Sequence, residues 1–495
     1  MVENLRRELT TSLVITARPA RAALWSSSVL CLLLAVYFAY FCYDSIAVHY
    51  APDDMMNLAY AWRRPSSELL LAPFMVWRPF YRPLAGWVYV PLLNTFGLNP
   101  LPLHVVVLIF LLTNVFLVRL LAKLLGACEW AAFTAALVAA YHAGLSNLYY
   151  NTAFIYDALC CSFFLAALVY YIHIRRHDAV PNARQTALFL LLYLFSLDSK
   201  EMAVTLPAVI LLYEYCYGRP IPSRPKGFLL WLRGPGRCVV PGGCLTLIFI
   251  AGRIFGTGGL AHDPGYVPQY SMDRVWAFQI RCFSDLFEKW EYFNRATVLA
   301  VWAAILYLAW RRRRPLLRFA SLFLLIAPLP IEFLSGRAGA CLCIPLVAWA
   351  LFMSVAFVDI CGAAARILAR EPLLRRVRRR PIAAVLIALG LVGWTRHNAM
   401  LKRAYADPAM VDFAPVTWTA IQQLRALHLR IRPHDSIAFL NDPIGKFDME
   451  FIAELLFRDH TLTVLLNRQI PLSQLQIDQA GHLIDYRDGH FLVVR

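Results

Sequence analysis

Apolar residues in this chain run in long blocks broken by short charged stretches, not in the two- or 3.6-residue alternation of half-buried surface elements. The blocks fall at residues 25–43, 101–122, 130–147, 152–172, 185–198, 201–217, 238–255, 296–310, 315–333, 339–360 and 381–395. About 20 apolar residues span the hydrocarbon core of a bilayer. The pattern therefore predicts an all-α polytopic membrane protein of about 11 transmembrane helices. The fifth and sixth blocks meet at Asp198, Ser199, Lys200 and Glu201, which predicts a tight helical hairpin. The block pattern lapses twice. Residues 44–100 are aromatic and broken by proline (Trp62, Trp77, Phe80, Tyr81, Trp87, Tyr89), which suits short helices at headgroup level. From Arg396 onward the sequence is ordinary soluble sequence. It has strand-like runs at 436–440, 462–466 and 490–494, helical stretches near 416–427 and 451–457, and a turn signal at Arg487-Asp488-Gly489. These features divide the chain into a membrane domain, 1–395, and a small α/β extramembrane domain, 396–495.

Composition excludes the soluble classes. The chain has 495 residues, 60% hydrophobic and 16% charged, where globular domains are about 45–50% apolar and about 25% charged. No CxxC or Cys/His spacing among the 12 cysteines suggests zinc, and most lie in or beside apolar blocks as packing residues. The first block follows an arm holding Arg6, Arg7, Arg18 and Arg21, and no small-residue cleavage site follows it. It reads as a first membrane helix and not as a removable signal. The formal charge of +17 sorts by loop: with the N-terminus cytoplasmic, the inner segments hold 26 Lys and Arg and the outer loops 9. That bias places the tail on the external side; the expected location is a bacterial inner membrane. Basic and acidic residues balance in the tail, so the surplus lies in the membrane part, where it orients the bundle and meets anionic lipid. It gives no support to nucleic-acid binding.

The remaining polar residues gather at the outer face. Asp53 and Asp54 follow Pro52 just beyond the first block. One of them can cap an interfacial helix running through Tyr60 while the other faces a site, since a carboxylate at a poorly solvated boundary has a raised pKa and suits a base. Arg78 and Arg82 flank Pro79 and Pro83; Asp157 sits in the outer turns of the fourth block; Asp198, Lys200 and Glu201 occupy the hairpin; His262 and Asp263 follow the seventh block; Arg337 stands where the tenth begins. Both signs on one face describe a cavity that holds an anionic headgroup and presents a carboxylate.

Four stretches carry a family resemblance: Asp53-Asp54; Tyr81-Arg82-Pro83-Leu84 continuing to Gly97-Leu98-Asn99-Pro100, His104 and Asn114; Ser199-Lys200-Glu201 followed by Leu206-Pro207 and Tyr213-Glu214; and Arg337 with Ile344-Pro345. Over residues 25–360 the chain resembles the GT-C class of membrane glycosyltransferases, especially the TMTC O-mannosyltransferases and their bacterial relatives, and more distantly the protein O-mannosyltransferases. Two departures are Asp198, where an apolar residue is expected, and a tail unlike a tetratricopeptide array.

The resemblance implies inverting transfer of a sugar from a polyprenyl-phosphate donor to an acceptor hydroxyl of a protein or glycan. Asp54, or Asp53, is then the base, Lys200, Arg337 and Arg82 hold the donor phosphate, and Glu201, His104, Asn114, Asp157 and His262 support them. Adjacent carboxylates also suit a divalent cation. The competing classes are a lipid-linked glycan polymerase or ligase, a transporter or flippase, and a non-catalytic scaffold. A transporter is expected to show repeated halves with midplane charges.

Overall fold

The computed structural model describes residues 21–78, 82–177, 180–218, 225–234, 236–255, 267–288, 291–370, 379–408, 414–445 and 448–495. Arg6, Arg7, Arg18, Tyr81, His262 and Asp263 lie outside the described residues.

Each of the eleven apolar blocks coincides with helix: Arg21–Cys42, Leu101–Leu124, Glu129–Ala140, Ile155–Arg175, Ala183–Ser199, Leu206–Tyr217, Val239–Phe255, Arg295–Arg311, Pro315–Ile326, Cys343–Leu368 and Arg379–Pro408. Among the described residues, six helical stretches are long and apolar enough to cross a membrane. The hairpin is as tight as expected: Lys200 alone separates Ser199 from a 3-10 turn, Glu201–Thr205, that leads into the next helix.

Burial sorts the helices. Ile155–Arg175 and Cys343–Leu368 are apolar all round and mostly buried, as a central helix must be, whereas few residues of Arg379–Pro408 are fully buried and it packs along Cys343–Leu368 from outside. Small and polar residues fix the central contacts. Asn114 Nδ2 donates to Ala158 O at 3.2 Å and Asn114 Oδ1 accepts the Ser162 hydroxyl at 2.7 Å, tying the Leu101–Leu124 helix to Ile155–Arg175.

The third block is a correction. Its helix stops at Ala140, seven residues before the expected end, and Tyr141 and His142 are extended. Tertiary contacts explain the stop. The buried His142 ring has its Nε2 3.1 Å from Leu286 O, and Gly144 packs so closely on the Asp285 backbone that an added Cβ would lie 2.3 Å from its carbonyl oxygen.

The C-terminal part forms a four-stranded sheet: β1 (Ser436–Phe439), β2 (Thr463–Leu466), β3 (His482–Arg487) and β4 (His490–Val493), in the order β2-β1-β3-β4. Strand β1 is parallel to β2 and β3, while β3 and β4 form an antiparallel hairpin. Asp488 and Gly489 turn that hairpin with φ of 51° and 81°, the left-handed pair that a two-residue turn needs. Strand β3 is absent from the sequence-based reading. The buried Asp485, which accepts from Asn441 Nδ2 at 2.7 Å, interrupts its apolar pattern.

This domain docks on the first loop. Helix Asp448–Phe457 packs on helix Pro52–Trp62, and Arg63 reaches Glu454 at 2.5 and 2.7 Å and Glu450 at 2.9 Å. The His49 ring stacks on Trp418 with centroids 4.4 Å apart. Arg63 is partly exposed, so screening limits these pairs. Replacing Arg63 by Ala is expected to weaken docking by about 1 kcal/mol, read as faster limited proteolysis of the C-terminal domain with the helical bundle intact.

Candidate active site

The tight hairpin delivers Lys200. It follows the Ala183–Ser199 helix in extended backbone, and its side chain turns inward. Lys200 Nζ lies 2.6 Å from both carboxylate oxygens of Asp157 in the first turn of the Ile155–Arg175 helix, and 3.3 Å from Cys341 Sγ. Glu201, the next residue, takes a hydrogen bond from Arg82 Nη2 at 3.1 Å. Arg82 stands at a φ of 42° immediately before Pro83, a position that ordinarily favours extended backbone. Its guanidinium rests over the Tyr156 ring, 5.1 Å from the centroid. Arg337 belongs to a turn whose flanking glycines, Gly336 and Gly339, have φ of 68° and 59°. An added Cβ at either glycine would meet nothing within 4 Å, so backbone conformation and not space is what calls for glycine there.

These groups converge on one cavity of about 550 Å³. Arg82, Lys200, Arg253 and Arg337 line it with Glu201, and Phe249, Ile250, Ile254, Ile331, Phe333 and Leu334 supply apolar walls. Asp157 stands behind Lys200 as its partner. Arg253 is the member that sequence reasoning missed. It closes the Val239–Phe255 helix, is buried, and lies over the Phe249 ring at 4.9 Å. Its signal is a lone cation within the run Ile248 to Phe255, which loop-charge counting treats as a span edge. Gly252 beside it lets the first loop come close: a Cβ there would lie 2.6 Å from the Trp77 carbonyl oxygen.

The acidic pair is split. Asp54 is buried and caps its own helix, Pro52–Trp62, accepting the Ala51 N–H on Oδ2 at 2.8 Å and the Thr152 hydroxyl on Oδ1 at 2.6 Å. Burial drives its carboxyl from the ordinary 3.8 up to about 7, against those two hydrogen bonds, which pull the other way. Asp53 is exposed. The capping Asp is thus the buried one of the pair. Thr152 lies in the 3-10 turn Thr152–Phe154 that leads into the helix carrying Asp157, so Asp54 and Lys200 are tied to one helix start.

Asp54 does not line the cationic cavity. His104 is buried in the first turn of its helix, Asn114 is engaged in helix packing, and neither lines that cavity. Among the described residues no three His, Cys, Asp or Glu side chains converge as metal ligands do.

A further cavity of about 330 Å³ lies beside Ala51, lined by His49, Asn147, Tyr150, Asp285 and Tyr405. It sits between the first loop and the segment leading to the C-terminal sheet.

No family model matches the chain, and no curated protein matches it by sequence. Solved structures do match. One is the oligosaccharyltransferase AglB of Archaeoglobus fulgidus in complex with an inhibitory peptide and a dolichol-phosphate, at TM-score 0.50 and 13% identity, covering 93% of this chain and 69% of that one. The chain has the GT-C fold. ArnT of Cupriavidus metallidurans bound to undecaprenyl phosphate aligns at TM-score 0.49 and 12% identity over 95% of this chain and 98% of its own. The Archaeoglobus fulgidus oligosaccharyltransferase tethered to an acceptor peptide aligns at 0.49 and 13% over 90% of this chain. This chain spans 64% of that enzyme's length.

Proposed function

We propose that the protein transfers a sugar from a polyprenyl-phosphate donor to an acceptor hydroxyl, at the face of the bundle that carries both the first loop and the C-terminal domain. One observation carries the proposal: a cavity with four cations, a single carboxylate and apolar walls suits a phosphate attached to a hydrocarbon chain. In the reaction the acceptor oxygen attacks the anomeric carbon from the side opposite the phosphate, with inversion. The C–O bond to phosphate breaks, and its electron pair leaves with the lipid phosphate. Lys200, Arg82, Arg253 and Arg337 stabilise that developing charge. Asp54 takes the acceptor proton, and its pKa near 7 matches a base working at neutral pH; Asp53 is the alternative base. Glu201 and Asp157 hold Arg82 and Lys200 in place. The orientation drawn from loop charge puts this face outside the cytoplasm, in a bacterial inner membrane. Residues 396–495 then form the external domain, and a mannosyl group is the donor sugar suggested by the family resemblance.

The test is binding of undecaprenyl phosphate to the purified full-length protein in lipid nanodiscs. Replacing Arg253 by Gln keeps a polar side chain but removes the charge, and is expected to weaken binding about tenfold. Unchanged affinity in the Arg253 and Arg82 variants alike would sink the assignment of this cavity. Replacing Thr152 by Val removes a hydrogen bond that holds the Asp54 carboxyl down. The pH profile of sugar transfer should then move to higher pH, with donor affinity unchanged.

A further inference from the structure

The Met272–Phe287 helix and the residues just before it grip the turn that carries Arg337. Gln269 N–H donates to Phe333 O at 2.8 Å, the Arg274 guanidinium donates to Leu334 O, Gln279 Nε2 donates to Glu332 Oε1 at 2.7 Å, and Asp285 Oδ2 accepts the Gly339 N–H at 2.8 Å. Between helix and turn lies a second cavity, of about 630 Å³. Arg274, Arg281 and Arg337 line it with Ser284 and Asn147, and among the described residues no carboxylate does. Arg274 and Arg281 are seven residues apart, two helical turns, and so share a face. Asp285 lies 3.2 Å from Arg281 Nε and is buried, with its other oxygen engaged by Gly339. Three guanidinium groups without a carboxylate among the described lining residues give the cavity a cationic lining. Arg274 also holds a buried Nε–H that makes no hydrogen bond, an unmet donor aligned with the Nη groups as in the fork that engages phosphate. Arg337 and Cys341 line both this cavity and the lipid-walled one, so the two adjoin.

We infer that this second cavity is a second anion subsite, which binds a phosphate-class group additional to the one held among Lys200, Arg82 and Arg253. The inference rests on the donor-pocket assignment and extends it. The group has two available sources: the second phosphate of a diphosphate-linked donor, or an anionic group on the acceptor. The two guanidinium groups of the Met272–Phe287 helix bind it, and Arg337 is shared between the sites. Asp285 acts as a positioning residue that fixes the Arg337 turn.

The experiment compares wild type with Arg274→Gln/Arg281→Gln and with Arg274→Lys/Arg281→Lys, as full-length proteins in nanodiscs. Four probes are titrated: undecaprenyl phosphate, undecaprenyl diphosphate, a monophosphoryl glycolipid and its dephosphorylated counterpart. Wild type is expected to prefer one phosphorylated probe over its partner by about tenfold, and the Gln pair to lose that preference while binding undecaprenyl phosphate within twofold of wild type. The Lys pair, which keeps the charge, retains most of it. Lost preference for the diphosphate identifies the donor as the source; lost preference for the phosphorylated glycolipid identifies the acceptor. A wild type with neither preference, a Gln pair that keeps both, or a Gln pair that also loses undecaprenyl phosphate would each overturn a separate subsite. Arg253→Gln, which lies in the first cavity alone, reports independently on the donor pocket.

Discussion

Replacing Asp54 by Asn is expected to lower sugar transfer by ~10²- to 10⁴-fold, the usual contribution of a positioned general base, while donor binding stays within a few fold. Asn keeps one acceptor oxygen for the Thr152 hydroxyl or the Ala51 N–H, so the helix start persists. The pH dependence adds a check that does not depend on the size of the loss. A base acts when deprotonated, so wild-type activity rises through about pH 7 and levels off above it. Stability runs the other way. A carboxyl whose folded pKa lies above its unfolded value binds more protons when folded, so its favourable contribution is present at low pH and is lost as pH rises from about 3.8 to about 7. Asp54→Asn removes both trends. If that variant, and Asp53→Asn tested beside it, retain full transfer, no base in the first loop serves the reaction.

Replacing Lys200 by Met should abolish donor binding and also destabilise the protein by about 3–5 kcal/mol, because Asp157 is left as a buried, unpartnered charge. Loss of activity alone cannot separate these effects. The double variant Lys200→Met/Asp157→Asn removes the stranded charge, and its thermal unfolding should return toward wild type. Undecaprenyl phosphate binding should stay lost. Recovery of binding together with stability would make the pair a structural ion pair with no part in holding the donor.

Much of the architecture is legible in one dimension because lipid imposes a one-dimensional rule: a segment that satisfies its own backbone hydrogen bonds and is apolar for long enough becomes a helix. Each of the eleven blocks contains helix, and among the described residues six helical stretches are long and apolar enough to cross. The rule fails where a tertiary contact replaces lipid. Helix Glu129–Ala140 ends early because His142 and Gly144 meet the Met272–Phe287 helix, and no local propensity encodes that meeting. Strand β3 escaped notice because Asp485 is buried against Asn441, a pairing 44 residues apart in sequence.

For the candidate site, the groups that stand out along the chain are the acidic pair after Pro52, the Arg82-Pro83 step, the Ser199-Lys200-Glu201 hairpin and Arg337. Such groups are costly at a membrane boundary, so their presence is informative residue by residue. Which of them meet depends on tertiary contacts. The fold brought Arg82, Lys200 and Arg337 into one cavity and added Arg253 from a distant helix. It paired Lys200 with Asp157, buried Asp54 under Thr152 while leaving Asp53 exposed, and assigned Asn114 to packing. Distance and burial decide these outcomes, since both the strength of a charge interaction and the pKa of a carboxyl depend on which neighbours exclude water.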